Sequence, residues 1–185
     1  MNASTRLSTN YTVGDLIKTS TGIPNMPPES YLPNLRALAN VLELLRQIDT
    51  FTIVSGFRSP AVNAAVGGAE ASYHSEGLAA DIIPDNISNQ EFFYRIHNNP
   101  KFRNAVGEYI FYPLEHRSIH VSSPTAFKVG VALKELPGGS YAPADIGYDS
   151  SWKMELPGGA PLYLGLALGL GLVLFAVYQS RKVAV

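Results

Sequence analysis

The sequence predicts an α+β fold, in which a small antiparallel sheet is flanked by helices and one C-terminal transmembrane helix follows. Leucine and valine recur at helical spacing over 33–48, short β-branched and aromatic runs alternate with further helical patterns over 51–122, and an apolar run fills 162–178. The composition then divides the chain into a globular domain (1–134), a Pro/Gly-rich linker (135–161), a transmembrane helix (162–180) and a basic tail (181–185).

The elements of the globular domain follow from periodicity and from breaks in it. The long helix is predicted over 33–48, and two short helices over 90–97 and 101–106 are separated by Pro100. Four short strands are predicted, and the last two are expected to form a hairpin: they span 51–54, 78–83, 109–112 and 119–122.

The composition excludes several classes of protein. A net charge of -1, with 16% charged residues, gives no electrostatic reason to expect a nucleic-acid partner. The chain has no cysteine, so disulfides, iron–sulfur clusters, thiolate-bound zinc and thiol nucleophiles are excluded. The sequence contains no HExxH motif, no GxSxG motif and no P-loop, so thermolysin-like peptidases, serine hydrolases and P-loop nucleotide-binding proteins have no support. Any metal site must therefore use histidine, aspartate and glutamate.

The C-terminal segment has the composition of a membrane span. Residues 162–178 are apolar, glycine or tyrosine without interruption, and about 17 to 20 such residues are enough to cross a bilayer. A buried core helix is the alternative, but a core helix normally carries a polar stripe. Arg181 and Lys182 follow the span, and basic residues favour the cytoplasmic side. We therefore expect a single-pass protein, held in the lipid bilayer by this helix, with its globular domain on the opposite side.

Two histidines and one aspartate lie in settings that favour a metal site. Asp81 is inside the apolar strand 78–83, where an unpaired carboxylate has a large desolvation cost. His74 lies in the polar loop before that strand, and His120 lies between Ile119 and Val121. Two imidazoles and a carboxylate, with water in the fourth position, make an open tetrahedral zinc site. The residue types alone also fit core histidines held by hydrogen bonds, and an aspartate that caps a turn or pairs with arginine.

Several short motifs around these residues occur in a characteristic order. Ser55-Gly56-Phe57-Arg58-Ser59-Pro60 comes first, an SxHxxGxAxD motif follows over 72–81, and Ile119-His120-Val121-Ser122 comes last. In this order they resemble the zinc D-Ala-D-Ala carboxypeptidase family of M15 type, closest to its phage and bacterial branch, over roughly residues 7–128. The metal-binding amino-terminal domain of hedgehog proteins resembles the same scaffold. The fold alone therefore does not imply peptidase activity.

The resemblance implies roles for five residues. His74, Asp81 and His120 are implied to be the ligands of Zn²⁺. Arg58 is implied to hold a carboxylate or carbonyl of the substrate, because its guanidinium offers a fixed fork of donors and stays charged. A structural ion pair with Asp81 or Glu76 is the alternative for Arg58. Ser72 is expected to hydrogen-bond near the site and to contribute to substrate binding.

The general base is the point at which the sequence departs from the family pattern. Many family members place a carboxylate three residues before the last histidine ligand, and related ones place a glutamate about six before it. Those positions here are Arg117 and Leu114. Glu115 is the nearest carboxylate and therefore the expected catalytic base. His116 and Glu108 are the alternatives.

The resemblance implies a zinc metallopeptidase that hydrolyses peptide bonds in peptidoglycan stems, as a carboxypeptidase or an endopeptidase. The first alternative is a non-catalytic module that binds or anchors to peptidoglycan and carries a structural zinc, and the second is a purely structural membrane protein. With the C-terminal span, the peptidase is expected to face the peptidoglycan side of a bacterial membrane. The same layout suits a lytic enzyme in the membrane of a phage virion, with other membrane or virion proteins as further partners.

Overall fold

A computed structural model of the chain describes residues 1–112, 118–136 and 140–144, together with two short strands further on. Residues Met1–Ala144 form one compact unit. In a second unit, Met154–Glu155 (β7) pairs antiparallel with Pro161–Leu162 (β8). Within these described ranges no helix is long and apolar enough to cross a membrane. The predicted transmembrane helix over 162–180 lies outside them, apart from its first residue.

The first unit is built on a mixed six-stranded sheet. Its strands are Phe51–Ser55 (β1), Ala79–Pro84 (β2), Glu108–Phe111 (β3), Ile119–Ser122 (β4), Val131–Glu135 (β5) and Tyr141–Pro143 (β6). Their order across the sheet is β1-β2-β4-β3-β5-β6, and only β3 and β5 are parallel.

The α+β class is confirmed, but the expectation of a small antiparallel sheet is wrong. After β4 the chain crosses to the free side of β3, and β5 therefore runs in the same direction as β3. β5 spans the predicted domain boundary at 134, and β6 lies beyond that boundary, in the predicted linker. The division into domain, linker, span and tail stays a prediction.

Capping side chains or a proline in the first turn mark the start of several helices. They span Val13–Leu16 (α1), Leu32–Leu45 (α2, after the 3₁₀ turn Glu29–Tyr31), Pro60–Ala65 (α3), Asn89–Asn98 (α4) and Pro100–Arg103 (α5). The Ser59 hydroxyl accepts a hydrogen bond from Val62 N at 3.4 Å, and the Ser88 hydroxyl accepts one from Glu91 N at 3.1 Å. Both contacts satisfy amide groups that a helix leaves unpaired at its start.

The hydrophobic core includes the buried faces of the helices α2 and α4. One face of α2 is fully buried, and α4 contacts both β2 and β3 through a face that includes Phe92 and Ile96. The fully buried leucines of α2 are Leu35, Leu38, Leu42 and Leu45. Each buried leucine contributes about 1.5 to 3 kcal/mol to stability. The contacts of α4 hold β2 and β3, two of the strands around the polar residues described next.

The strand register brings polar residues together on one face of the sheet. Ser55 on β1 lies opposite Asp81 on β2, and Asp81 lies opposite His120 on β4. Directly opposed residues of antiparallel strands point to the same face. The register therefore lines up a hydroxyl, a carboxylate and an imidazole across three strands.

Candidate metal centre

His74 is held in place by backbone contacts on both sides. It lies in the turn before β2, where the Ser72 hydroxyl accepts from His74 N at 3.3 Å and the His74 carbonyl accepts from Arg58 N at 3.0 Å. Gly77 closes this turn with a φ of 70, in the left-handed region that suits glycine. The ring Nδ1 lies 2.7 Å from the Gly56 carbonyl oxygen. Since a carbonyl only accepts, Nδ1 carries the proton and Nε2 presents its lone pair.

His120 and Asp81 meet across the pairing of β4 with β2. His120 Nδ1 lies 3.2 Å from Asp81 Oδ1. The other ring nitrogen, Nε2, is 3.5 Å from Glu108 Oε1 on the neighbouring strand β3. The His120 ring therefore lies between two carboxylates, with Nδ1 on the same side as His74.

Three ligand atoms from these residues form a nearly equilateral triangle. His74 Nε2 is 3.1 Å from His120 Nδ1 and 3.3 Å from Asp81 Oδ1, and the third side, between His120 Nδ1 and Asp81 Oδ1, is 3.2 Å. Zinc–ligand distances of 2.0 to 2.2 Å in a tetrahedral site correspond to ligand–ligand distances of about 3.3 to 3.6 Å, and the triangle lies at the short end of that range. The cluster is largely buried, and the Asp81 side chain is 13% exposed. Donor types, spacing and burial all fit Zn²⁺.

The electrostatics of the cluster favour a bound cation. Burial raises the pKa of the Asp81 carboxyl, but the adjacent His74 and His120 rings lower it by more, so the group stays ionised. Burial lowers the pKa of His74, which keeps that imidazole neutral. Burial also lowers the pKa of His120, but hydrogen bonding and charge from Asp81 and Glu108 produce a net rise. The buried Asp81 carboxylate carries a negative charge that a divalent cation can neutralise, and the neutral His74 imidazole offers a lone pair to the same cation.

A sequence profile of the family described as Peptidase M15 matches residues 7–122, which include all three residues of the triangle. The chain belongs to the Peptidase M15 family. Members of this family are zinc-dependent peptidases, so both the predicted family and the predicted zinc cofactor are confirmed, and a peptide is the class of substrate. No curated protein matches the chain.

Arg58 of this M15 peptidase makes the ion pair that was the alternative to substrate binding. Its Nη2 lies 2.5 Å from Asp81 Oδ2, and its Nε donates to the Ser55 hydroxyl at 2.8 Å. The arginine therefore occupies the carboxylate oxygen that faces away from the triangle. Arg58 also lines a surface cleft together with Lys18 and Val62. Its role in holding substrate stays a prediction.

The remaining predicted site residues have different outcomes. Ser72 shapes the turn that carries His74, through the hydrogen bond described above, and its part in substrate binding stays a prediction. Glu115, the expected base, lies outside the described residues, as does the alternative His116. The other alternative, Glu108, is buried at 7% exposure and faces the outer nitrogen of His120.

Sequence reasoning missed the contacts around the two imidazoles. Neither the Gly56 carbonyl at His74 nor Lys128, whose Nζ lies 2.5 Å from Glu108 Oε2, was predicted to act on the site. The available signal was an ionisable residue at the start of an otherwise apolar strand, Glu108 before Tyr109-Ile110-Phe111. A backbone contact such as that of Gly56 leaves no signal in residue type.

Proposed function

We propose that this M15 peptidase hydrolyses peptide bonds in peptidoglycan stems, with His74, Asp81 and His120 as the ligands of its zinc ion. The observation that carries the proposal is the triangle of three ligand atoms, 3.1 to 3.3 Å apart. The family supplies the class of enzyme. The restriction to peptidoglycan, and the likeness to D-Ala-D-Ala carboxypeptidases, rest on the resemblance of the motifs.

The proposed chemistry divides between the metal and the side chains. When bound, zinc polarises a carbonyl and lowers the pKa of a coordinated water to about 7. Asp81 keeps its Oδ1 turned to the triangle because Arg58 binds Oδ2. Arg58, at the edge of the cleft, orients a carbonyl or carboxylate of the peptide.

Glu115 acts in this proposal as the general base. It takes a proton from the attacking water as the new C–O bond forms, and it delivers that proton to the leaving amine as the C–N bond breaks. The support is its position in the sequence, five residues before His120.

Membrane attachment is the second part of the proposal. It is supported by the unbroken apolar composition of 162–178 and by the basic residues after it. In this proposal the peptidase lies on the peptidoglycan side of a bacterial membrane, or in the membrane of a phage particle. The full chain is then expected to float with lipid vesicles in a density gradient, whereas a Leu168→Lys/Leu172→Lys variant stays at the bottom. A full chain that does not float contradicts the attachment.

Removal of a ligand tests the zinc centre. His74→Ala and His120→Ala are expected to lose stoichiometric zinc and to stop the release of new amino groups from purified peptidoglycan. His97→Ala is the matched control, because His97 contacts Tyr109 Oη at 2.9 Å, outside the triangle, and it is expected to keep both properties. Zinc is measured by elemental analysis, and the bond cut by mass spectrometry of the products. Hydrolysis by a zinc-free variant contradicts the proposal, and binding without hydrolysis by the wild type supports the non-catalytic alternative.

A further inference from the structure

We propose that Glu108 and Lys128 form a positioning pair, which fixes the tautomer of His120 and thereby sets the zinc affinity of the centre. The inference rests on the ligand set proposed above, and it adds two residues that do not touch the metal position. It concerns zinc binding alone, so its test is independent of which peptide bond is cut.

The geometry around the outer nitrogen of His120 is specific. Nε2 lies 3.5 Å from Glu108 Oε1, and in the described part of the chain no other carboxylate is within ion-pair distance of that nitrogen. Nε2 is buried and makes no closer hydrogen bond with any described residue. Among the described residues, Glu108, which is 7% exposed, is therefore the carboxylate placed to act on this nitrogen.

The tautomer of His120 decides whether the triangle can accept a cation. A neutral imidazole has one N–H and one lone pair. A carboxylate beside Nε2 favours the proton on that nitrogen, which leaves the Nδ1 lone pair facing His74 Nε2 and Asp81 Oδ1. In the other tautomer, Nδ1–H donates to Asp81 Oδ1 at their separation of 3.2 Å, and this hydrogen bond closes the site. Glu108 thus disfavours the tautomer in which the His120–Asp81 hydrogen bond replaces the metal.

Lys128 holds Glu108 in its working position. Its Nζ lies 2.5 Å from Glu108 Oε2, the oxygen that does not face His120. The same ammonium lies 5.0 Å from the centroid of the Tyr73 ring, one residue before His74. The Glu108 amide donates to the Ser122 hydroxyl at 2.9 Å, which fixes the backbone of β3 beside β4. Lys128 therefore connects the carboxylate behind one ligand to the turn that carries the other.

Zinc affinity and the identity of the ligating nitrogen test the pair. Glu108→Gln keeps the shape and removes the charge, and we expect it to bind zinc about 10- to 100-fold more weakly in competition with a chelator. Lys128→Met is expected to lose affinity in the same direction by a smaller factor. Glu91→Gln is the matched control, since it breaks the surface ion pair of Glu91 with Arg95, and it should bind zinc as the wild type does.

Two further readouts separate positioning from general stability. In the ¹⁵N spectrum of the zinc-loaded wild type, the proton of His120 is expected on Nε2, with Nδ1 bound to the metal. A purely structural role predicts that Glu108→Gln lowers the melting temperature of the metal-free chain but leaves the zinc-induced rise unchanged. Ligation through Nε2, or unaltered zinc affinity in both Glu108→Gln and Lys128→Met, overturns the pair. If His74→Ala keeps its zinc, the ligand set itself is at fault.

Discussion

The two imidazoles of the metal centre are held by different kinds of partner. The Nδ1 atom of His74 contacts a backbone oxygen, the carbonyl of Gly56, at 2.7 Å. The Nε2 atom of His120 faces a side chain, the Glu108 carboxylate, at 3.5 Å. A single substitution can delete the second partner but not the first. The His74 half of the site is therefore fixed by the fold, whereas the His120 half can be tuned one residue at a time.

The backbone anchor of His74 is itself supported by a network behind it. Phe57 N donates to the Leu16 carbonyl at 2.7 Å. The buried Asn25 side chain donates to the Phe57 carbonyl at 2.8 Å and accepts from Ser59 N at 2.7 Å. These contacts tie the segment 56–59 to the N-terminal part of the chain. The rigidity on the His74 side thus comes from residues that never touch the site.

Arg58→Met should have the largest effect, because it removes the anchor of the aspartate that both halves share. In the zinc-free chain we expect a loss of about 3 kcal/mol in the free energy of unfolding, since a nearly buried carboxylate loses its ionic partner. With zinc bound the loss should shrink, because the metal replaces the missing positive charge. Urea unfolding with a chelator and with zinc measures both values. Arg95→Met, at an exposed pair, is the control, and equal losses in the two conditions contradict the expectation.

Gly56→Ala tests the backbone anchor directly. A Cβ atom at this position lies 2.3 Å from the Leu16 carbonyl oxygen, so the segment has to move. We expect a loss of about 1 to 3 kcal/mol, typical of overpacking, together with weaker zinc binding as the carbonyl behind His74 shifts. Gly22→Ala is the matched control: its φ of 72 causes strain, but nothing lies within 4 Å of the added atom. Unchanged zinc affinity in Gly56→Ala refutes the anchor.

Glu43→Gln should have the smallest effect and should leave zinc affinity alone. The Glu43 carboxylate accepts hydrogen bonds from Ser8 Oγ and from Asn10 N and Nδ2, which fasten the N-terminal segment to α2. Burial raises the pKa of Glu43, but these hydrogen bonds lower it by more, so the net shift is downward. We expect a loss of about 1 kcal/mol at pH 7, discounted for solvent contact.

The pH dependence of that difference has a definite sign. Since the folded pKa of Glu43 lies below the unfolded one, the stabilisation is complete above the unfolded value of about 4.3. It is lost as the pH falls through the lower folded value. Unfolding of the wild type and of Glu43→Gln between pH 7 and pH 3 should therefore converge in acid. A gap that widens in acid contradicts the sign.

Local patterns predicted the elements that pack against the core. The strand predicted over 119–122 is β4, and the helix predicted over 33–48 is α2, which ends at Leu45. The helix stops early because Gln47 N and Ile48 N bond three residues back, to Leu44 O and Leu45 O, instead of four. The helix predicted over 101–106 shortens to Pro100–Arg103 for the same reason, since Ala105 N bonds to Phe102 O.

The strands that were not predicted, unlike the short helices α1 and α3, depend on distant partners. β5 and β6 are short and half-buried or exposed, and they form strands by pairing with β3 and with each other. The site divides in the same way. The three clustered residues could be named from motifs, but the contacts that orient them arise from strand register and chain crossing.

The pairing of Asp81 with His120 makes zinc binding depend on folding of the sheet. These residues are separated by 39 positions in the chain, and His74 is separated from His120 by 46, so no local segment brings the three together. A slip of one residue between β2 and β4 turns one of the two side chains to the opposite face of the sheet. Tight zinc binding therefore requires that β2 and β4 have already paired in the correct register. Bound zinc then stabilises the correctly paired chain relative to misaligned ones.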